Sequence, residues 1–304
     1  MKHNTHIYLA TKSIELLYEG VRNIKNIDGT DISPKAKRDL LNSAKTLQRF
    51  LLNYRDSIKE ASWAPDDILN DKVMYHTFKL FTDKEFPNSK SFAKEIHQEI
   101  YYRASGGGGL PYKVDHLARV ISDMNKLRNY NDRFSMNQIM YYFFLLSHYV
   151  VDAFVPMHCD LRDDPPSDDD LKKPRNGTYF SERLHGDLED LWEDAVTPIA
   201  ISEGIIEKQR CDDNKKYNYL SEKTLYDVTK EEDIDEIKPK VIEKDLMAFM
   251  INICIESKKS SLRLFPIENP ENYSKDVLIE ETRKIFSECI SNIISIWIWI
   301  WSKK

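Results

Sequence analysis

The sequence predicts an all-α protein, a single helical domain spanning 1–304. Its strongly apolar segments have helical length and periodicity, and alternating strand-like segments are scarce. Glycine is rare, 9 in 304 residues, so chain-breaking punctuation is sparse. With 41% hydrophobic residues against 31% charged, a chain of this length can bury one large core.

Taken in order, the pattern predicts a first amphipathic helix from about residue 6 to 19, closed by Gly20. The second starts at Ser33-Pro34, an N-cap followed by proline at N1, and continues to about residue 58. Further helices are expected over 88–103, 112–128, 136–155 and 181–196, then two long ones over 240–263 and 275–302. Ser135 and Pro156 bracket the most apolar of these, which suits a helix at the centre of the core. Ser181 is read as the cap of the sixth helix, whose stripe is Leu184, Leu188, Leu191, Trp192 and Ala195. Polar connectors separate the helices. Ser105 to Gly109 is a flexible joint with no phosphate-binding lysine behind it, and 211–240 reads as a surface excursion.

Several function classes are disfavoured. A net charge of -6 argues against a uniformly basic nucleic-acid surface. Cys159, Cys211, Cys254 and Cys289 are scattered without a CxxC pair, which excludes a thiolate zinc motif and gives no disulfide framework. The N-terminus lacks a signal peptide's basic and apolar regions, so the expected location is cytoplasmic if this start is native and secreted if the chain is a processed form. The C-terminal "IISIWIWIWSKK" has an apolar run too short to span a bilayer. Its tryptophans fit either a lipid interface or a last helix docked into the core, and the core is preferred.

The chemistry lies in the histidines. In "SHYVVDAFVPMHCD", His148 and Asp152 stand at i,i+4 on one face of a greasy helix, and His158 follows just past the proline. A buried histidine–aspartate hydrogen bond explains that pair as well as a metal does. His185 and Glu189 in "RLHGDLEDLWE" repeat the spacing. With 8 histidines and 50 acids, chance supplies about one such pair, so each is weak evidence alone. "NTHIYLATKSIELL" adds His6 at the start of a helix, and "SWAPDDILNDKVMYHTF" adds Asp66 and His76. Histidine nitrogen with carboxylate oxygen is a zinc donor set. His3, His97 and His116 have no patterned acid and are taken as surface residues.

The order of these fragments resembles the bacterial zinc-dependent phospholipase C family, which shares an all-helical superfamily with the fungal single-strand-specific nucleases. "HYVVDAFVPMH" and "HGDLE" fit that family's central pattern, "THIYLATKSIEL" its first histidine helix, and "APDD" its metal-binding aspartate segment. The resemblance implies a phospholipase C-type fold with a trinuclear-like metal cleft and two or three zinc ions. Asp66, His76, His148 and Asp152 would hold the first, and His158, His185 and Glu189 the second. His6 and a bridging Asp152 would hold the third. Family members complete that third site with the amine and carbonyl of an N-terminal tryptophan; this chain begins Met1-Lys2-His3, leaving His3 or the Met1 amine for the task. Asp66 would be the catalytic residue that orients or deprotonates the attacking water.

The implied function is zinc-dependent phosphodiester hydrolysis, with a phospholipid as preferred substrate and transient contact at a membrane surface. Glu189 leans to the phospholipase side, because the nucleases tend to carry aspartate there. Asp67 stands where choline-preferring members carry an aromatic, which leaves the head group open. The alternatives are a single-strand nuclease and a metal-stabilised binding protein without turnover.

Overall fold

A computed structural model describes residues 1–80, 86–88, 90–91, 108–131, 134–163, 180, 183–206, 237–243, 245–270 and 272–303. The described residues are mostly helical, as the sequence predicts: α1 His3–Glu15, α2 Leu17–Arg22, α3 Pro34–Asn53, α4 Ile58–Ala61, α5 Lys72–Tyr75, α6 Leu110–Asn131, α7 Met136–Ala153, α8 Pro156–Cys159, α9 Leu184–Ser202, α10 Leu246–Leu264 and α11 Lys275–Ser302. A π-helical turn covers Pro65–Leu69. Two-residue strands β1, Lys25–Asn26, and β2, Lys240–Val241, pair in parallel. Most of the expected helix over 88–103, the Ser181 cap and most of 211–240 lie outside the described residues.

The central helix forms as its sequence dictates. Ser135 accepts from the Gln138 backbone while the Gln138 side chain reaches back to the Ser135 N–H, a reciprocal capping box. Every residue from Phe143 to Ala153 is buried, so α7 is enclosed on all sides. It packs chiefly against α1, α4, α6 and α11, and also meets α3, α8 and α10. Ser33 caps α3 by accepting from Ala36 N, with Pro34 at N1.

Some boundaries move. The helix expected to close at Gly20 breaks instead at Leu16, and Gly20 lies inside α2. A Cβ on Gly20 would meet Ile294 Cδ1 at 3.1 Å, so the glycine serves a close approach to α11 rather than a turn. The second helix ends at Asn53, and the chain reaches Ile58 through a 3-10 turn. The central helix ends at Ala153, before Pro156 as expected, and Pro156 then opens α8, because a proline at N1 sacrifices no helical hydrogen bond. α9 runs on through Pro198, and the stretch from Lys240 is strand before α10 begins. His116 is exposed, as expected, whereas His3 is half-buried and stacks on Trp63 at 3.8 Å between ring centroids.

The last helix is the one described helix long and apolar enough to cross a membrane, yet it packs against α1, α3, α7 and α10. Trp297, Trp299 and Trp301 are all buried. The Trp297 ring meets Phe143 and Phe144 edge-on, and Trp301 lies against Phe50 and Phe143. The C-terminal tryptophans therefore belong to the core, contributing apolar area and offset ring contacts rather than a lipid-facing patch.

Candidate metal centre

Four segments converge on the buried end of α7. α1 has no side-chain cap of its own. Glu193 of α9 supplies one, accepting from the backbone of Asn4 and Thr5 at 2.9 Å each and from the Thr5 hydroxyl at 3.0 Å. That contact seats the N-terminal turn, and His6 with it, over α7. The chain after His76 runs beside the chain after His158: Phe78 N donates to His158 O at 2.9 Å and Leu80 N to Cys159 O at 3.1 Å. Beyond them Arg162, fully buried, closes on Asp160 at 2.7 Å, donates to Phe265 O at 3.1 Å and lies over the Phe180 ring. This satisfied ion pair anchors the turn that carries His158.

The eight residues expected at the site meet there. His76 Nδ1, His148 Nε2, Asp152 Oδ2 and Asp66 Oδ1 face one another. His76 Nδ1 lies 2.7 Å from Asp152 Oδ2 and 3.5 Å from Asp66 Oδ1. His148 Nε2 lies 3.2 Å from Asp152 Oδ2, 3.3 Å from His76 Nδ1 and 3.8 Å from Asp66 Oδ1. A tetrahedron with ligand distances of about 2.1 Å has edges of about 3.4 Å, which these separations bracket. Asp152 Oδ2 is buried yet makes no hydrogen bond by direction, although His76 Nδ1 is 2.7 Å away.

A second set follows at the start of α9. Glu189 Oε1 stands 3.1 Å from His185 Nε2 and 3.6 Å from His158 Nε2. The i,i+4 spacing read in the sequence puts His185 and Glu189 on one face, and α8 brings His158 to them.

The other oxygen of Asp152 turns to the N-terminus. Oδ1 is 3.3 Å from the Met1 amino group and 3.5 Å from His6 Nε2. His6 Nε2 is also 3.0 Å from Met1 O, and the Met1 amino group is 2.7 Å from Glu189 Oε1. His6 stacks on His148 at 4.0 Å and shares reach of Asp66 with it. Of the two candidates to complete a third set, the geometry brings up Met1 with both amine and carbonyl, while the His3 ring stacks on Trp63. Asp152 thus lies between the two groups, Oδ2 facing His76 and His148 and Oδ1 facing Met1 and His6.

The electrostatics describe a place that wants positive charge. Burial opposes ionisation of Asp152, but His148, the Met1 ammonium and His76 hold it well below the usual carboxylate range. Glu189 is held low in the same way, against burial, by the Met1 ammonium, His158 and His185. Burial also works against the His76 ring, but Asp152, Asp71 and Asp66 outweigh it and raise His76 to about 9. His185 rises to about 9, with Asp163 and Glu189 overcoming burial, and the Met1 amine to about 10 through Glu189 and Asp152. His158 falls to about 4 and His6 well below its ordinary value, both chiefly from burial. Without a metal, protons on His76, His185 and Met1 balance the carboxylates.

Compared with known proteins, the chain matches no family model, no curated protein and no solved structure. Fold and site together define an all-helical protein whose buried histidine and carboxylate groups could hold metal ions. Residues that the sequence reading did not single out sit directly behind the ligands: Asp71, Lys113 and Tyr149 beside His76, and Asp163 and Lys79 beside His185.

Proposed function

We propose that the chain is a zinc-dependent phosphodiester hydrolase of the phospholipase C kind. The observation that carries this reading is the division of Asp152, one oxygen toward His76 and His148 and the other toward Met1 and His6, with the His158, His185 and Glu189 set alongside. Nitrogen and oxygen donors without thiolate suit zinc in a hydrolytic site. Zinc bound there supplies Lewis acidity and a bound water whose pKa falls toward about 7.

The chain's own groups do the remainder. Of the two carboxylates facing His76 and His148, Asp66 is the one that solvent reaches: its side chain is 17% exposed against 2% for Asp152. It accepts the proton of the attacking water or orients that water toward phosphorus. Asp152, shielded and bridging, fixes the spacing between donor sets. No serine or cysteine nucleophile is required; Cys159, Cys254 and Cys289 are buried.

A phospholipid is favoured over nucleic acid by the surface around Asp66. Trp63, Ile68, Leu69 and Met74 are exposed large apolar residues on the segment that carries Asp66 and leads into His76, so a lipid surface and the donor groups are reached from one stretch of chain. The apolar contact proposed for the membrane is therefore this segment, while the C-terminal tryptophans lie in the core. The nuclease reading draws on one observation, the exposed Trp63 stacked on His3, a platform of the kind bases stack on.

Hydrolysis of bis(p-nitrophenyl) phosphate, of phospholipid vesicles and of a single-stranded oligonucleotide separates the readings. Zinc-dependent release from the first two, abolished by chelator and restored by zinc, is the expected result. Cleavage of the oligonucleotide alone would transfer the assignment to the nucleases, and bound zinc with no turnover on any of them to a non-catalytic binder. Asp66→Asn retains an oxygen ligand but loses the base, and kcat on the chromogenic ester is expected to fall about 10²–10⁴-fold. In the double variant Ile68→Ser, Leu69→Ser, vesicle hydrolysis is expected to drop tenfold or more, since each side chain forfeits about 1.5–3 kcal/mol of apolar transfer. Turnover of the soluble ester by that variant should be unchanged; an equal loss on both substrates would show that the segment does not meet lipid.

A further inference from the structure

Two aspartates outside the donor sets stand in matching positions, one behind each set. Asp71 Oδ1 accepts from His76 Nε2 at 2.9 Å, and its Oδ2 accepts from Lys113 Nζ at 3.0 Å and from the Tyr149 hydroxyl at 2.8 Å. Asp163 Oδ2 accepts from His185 Nδ1 at 3.0 Å and from Lys79 Nζ at 2.9 Å, and Lys79, buried, also donates to Met157 O beside His158. We infer that Asp71 and Asp163 are positioning residues, each locked by a lysine and each fixing the ring nitrogen that one histidine turns to the metal. The inference deepens the metal-site reading and rests on it.

The argument is one of tautomers. An imidazole bound to metal through one nitrogen carries its proton on the other, and a partner for that N–H fixes ring orientation and raises the basicity of the donor. His76 turns Nδ1 to Asp152 and Nε2 to Asp71, whereas His185 turns Nε2 to Glu189 and Nδ1 to Asp163. The two rings use opposite nitrogens, so nothing intrinsic to histidine selects both; the carboxylate behind each ring does. His148 is oriented more weakly, its Nδ1 donating to the carbonyl of Ser62 at 2.7 Å.

The lysines keep these carboxylates where they are. Lys113 and Lys79 neutralise the pairs and occupy the lone pairs that face away from the rings. The backbone is built to bring them together. Asn70 adopts a left-handed conformation, φ 49°, directly before Asp71, which asparagine tolerates better than most residues. Gly109 N donates to Met74 O at 2.9 Å, and a Cβ there would fall 2.8 Å from that oxygen. Only glycine allows the start of α6 so near α5, and α6 carries Lys113.

The test is a zinc titration of the metal-free full chain in competition with a chromophoric chelator. Asp71→Asn is expected to weaken one zinc about 10–100-fold and leave the other within about threefold of wild type, and Asp163→Asn the reverse. Lys113→Met should weaken the same zinc as Asp71→Asn, and by less. The double variant Asp71→Asn, Lys113→Met should be no weaker than Asp71→Asn alone, because the lysine acts through the carboxylate. A merely structural role predicts equal loss at both sites, or additive losses in the double variant, and either result overturns the inference. A wild type that binds zinc while both aspartate variants match it overturns the positioning role alone; a wild type that takes up no zinc overturns the metal reading beneath it.

Discussion

Replacing Asp152 with alanine is expected to abolish phosphodiester turnover and to strip zinc from two donor sets together. Asp152 faces both, through Oδ2 toward His76 and His148 and through Oδ1 toward Met1 and His6. Its removal also leaves the His76 imidazolium without its main counter-charge and takes one of two neighbouring carboxylates from the buried Met1 ammonium, and breaking a buried charge network in this way costs about 3–5 kcal/mol. Denaturant titration checks the stability, and metal analysis by mass spectrometry checks the zinc. His158, His185 and Glu189 do not need Asp152, so one zinc should survive in whatever fraction remains folded. Retention of the full wild-type zinc content would show that Asp152 is no bridge.

Chelation is the second large effect. A ligand present at a thousand times its Kd stabilises the native state by about 4.1 kcal/mol per site, so stripping two tight sites should lower stability by roughly twice that. The loss should depend on pH in a definite direction. His76 and His185 are raised from 6.5 to about 9 in the metal-free fold. The stability these protonated rings give the metal-free protein is complete below pH 6.5 and is lost as pH rises through about 9. Metal displaces those protons, so the zinc-loaded protein does not share that loss. The gap in stability between loaded and chelated protein should therefore widen from pH 6.5 to 9, by about 1.4 kcal/mol per pH unit for each proton displaced. Melting curves with and without chelator at three pH values measure it, and a gap that narrows over this range would contradict the assigned protonation.

Local signals made much of this legible in the sequence. The His148–Asp152 and His185–Glu189 pairs are i,i+4 spacings, and a helix turns that spacing into a shared face without tertiary help. Ser33-Pro34 and Ser135 were readable because caps are short-range devices. Gly20 misled for the opposite reason: its role is the approach of Ile294, nearly the whole chain away. Asp71 and Asp163 escaped for the same reason. Asp71 reaches Lys113 and Tyr149 across 42 and 78 residues, and Asp163 reaches Lys79 across 84, with no period to betray either. The Met1 carbonyl could not be found from side-chain patterns at all, since a backbone oxygen leaves no residue-type signal.

The most direct measurement of the central claim is an anomalous difference map from crystals of the zinc-loaded protein, recorded at the zinc edge. The account predicts one peak bounded by Asp66, His76, His148 and Asp152 and another bounded by His158, His185 and Glu189, with a third at Met1 and His6 when that site is filled. A map without a peak among these residues, or with zinc bound only elsewhere on the protein, would contradict it.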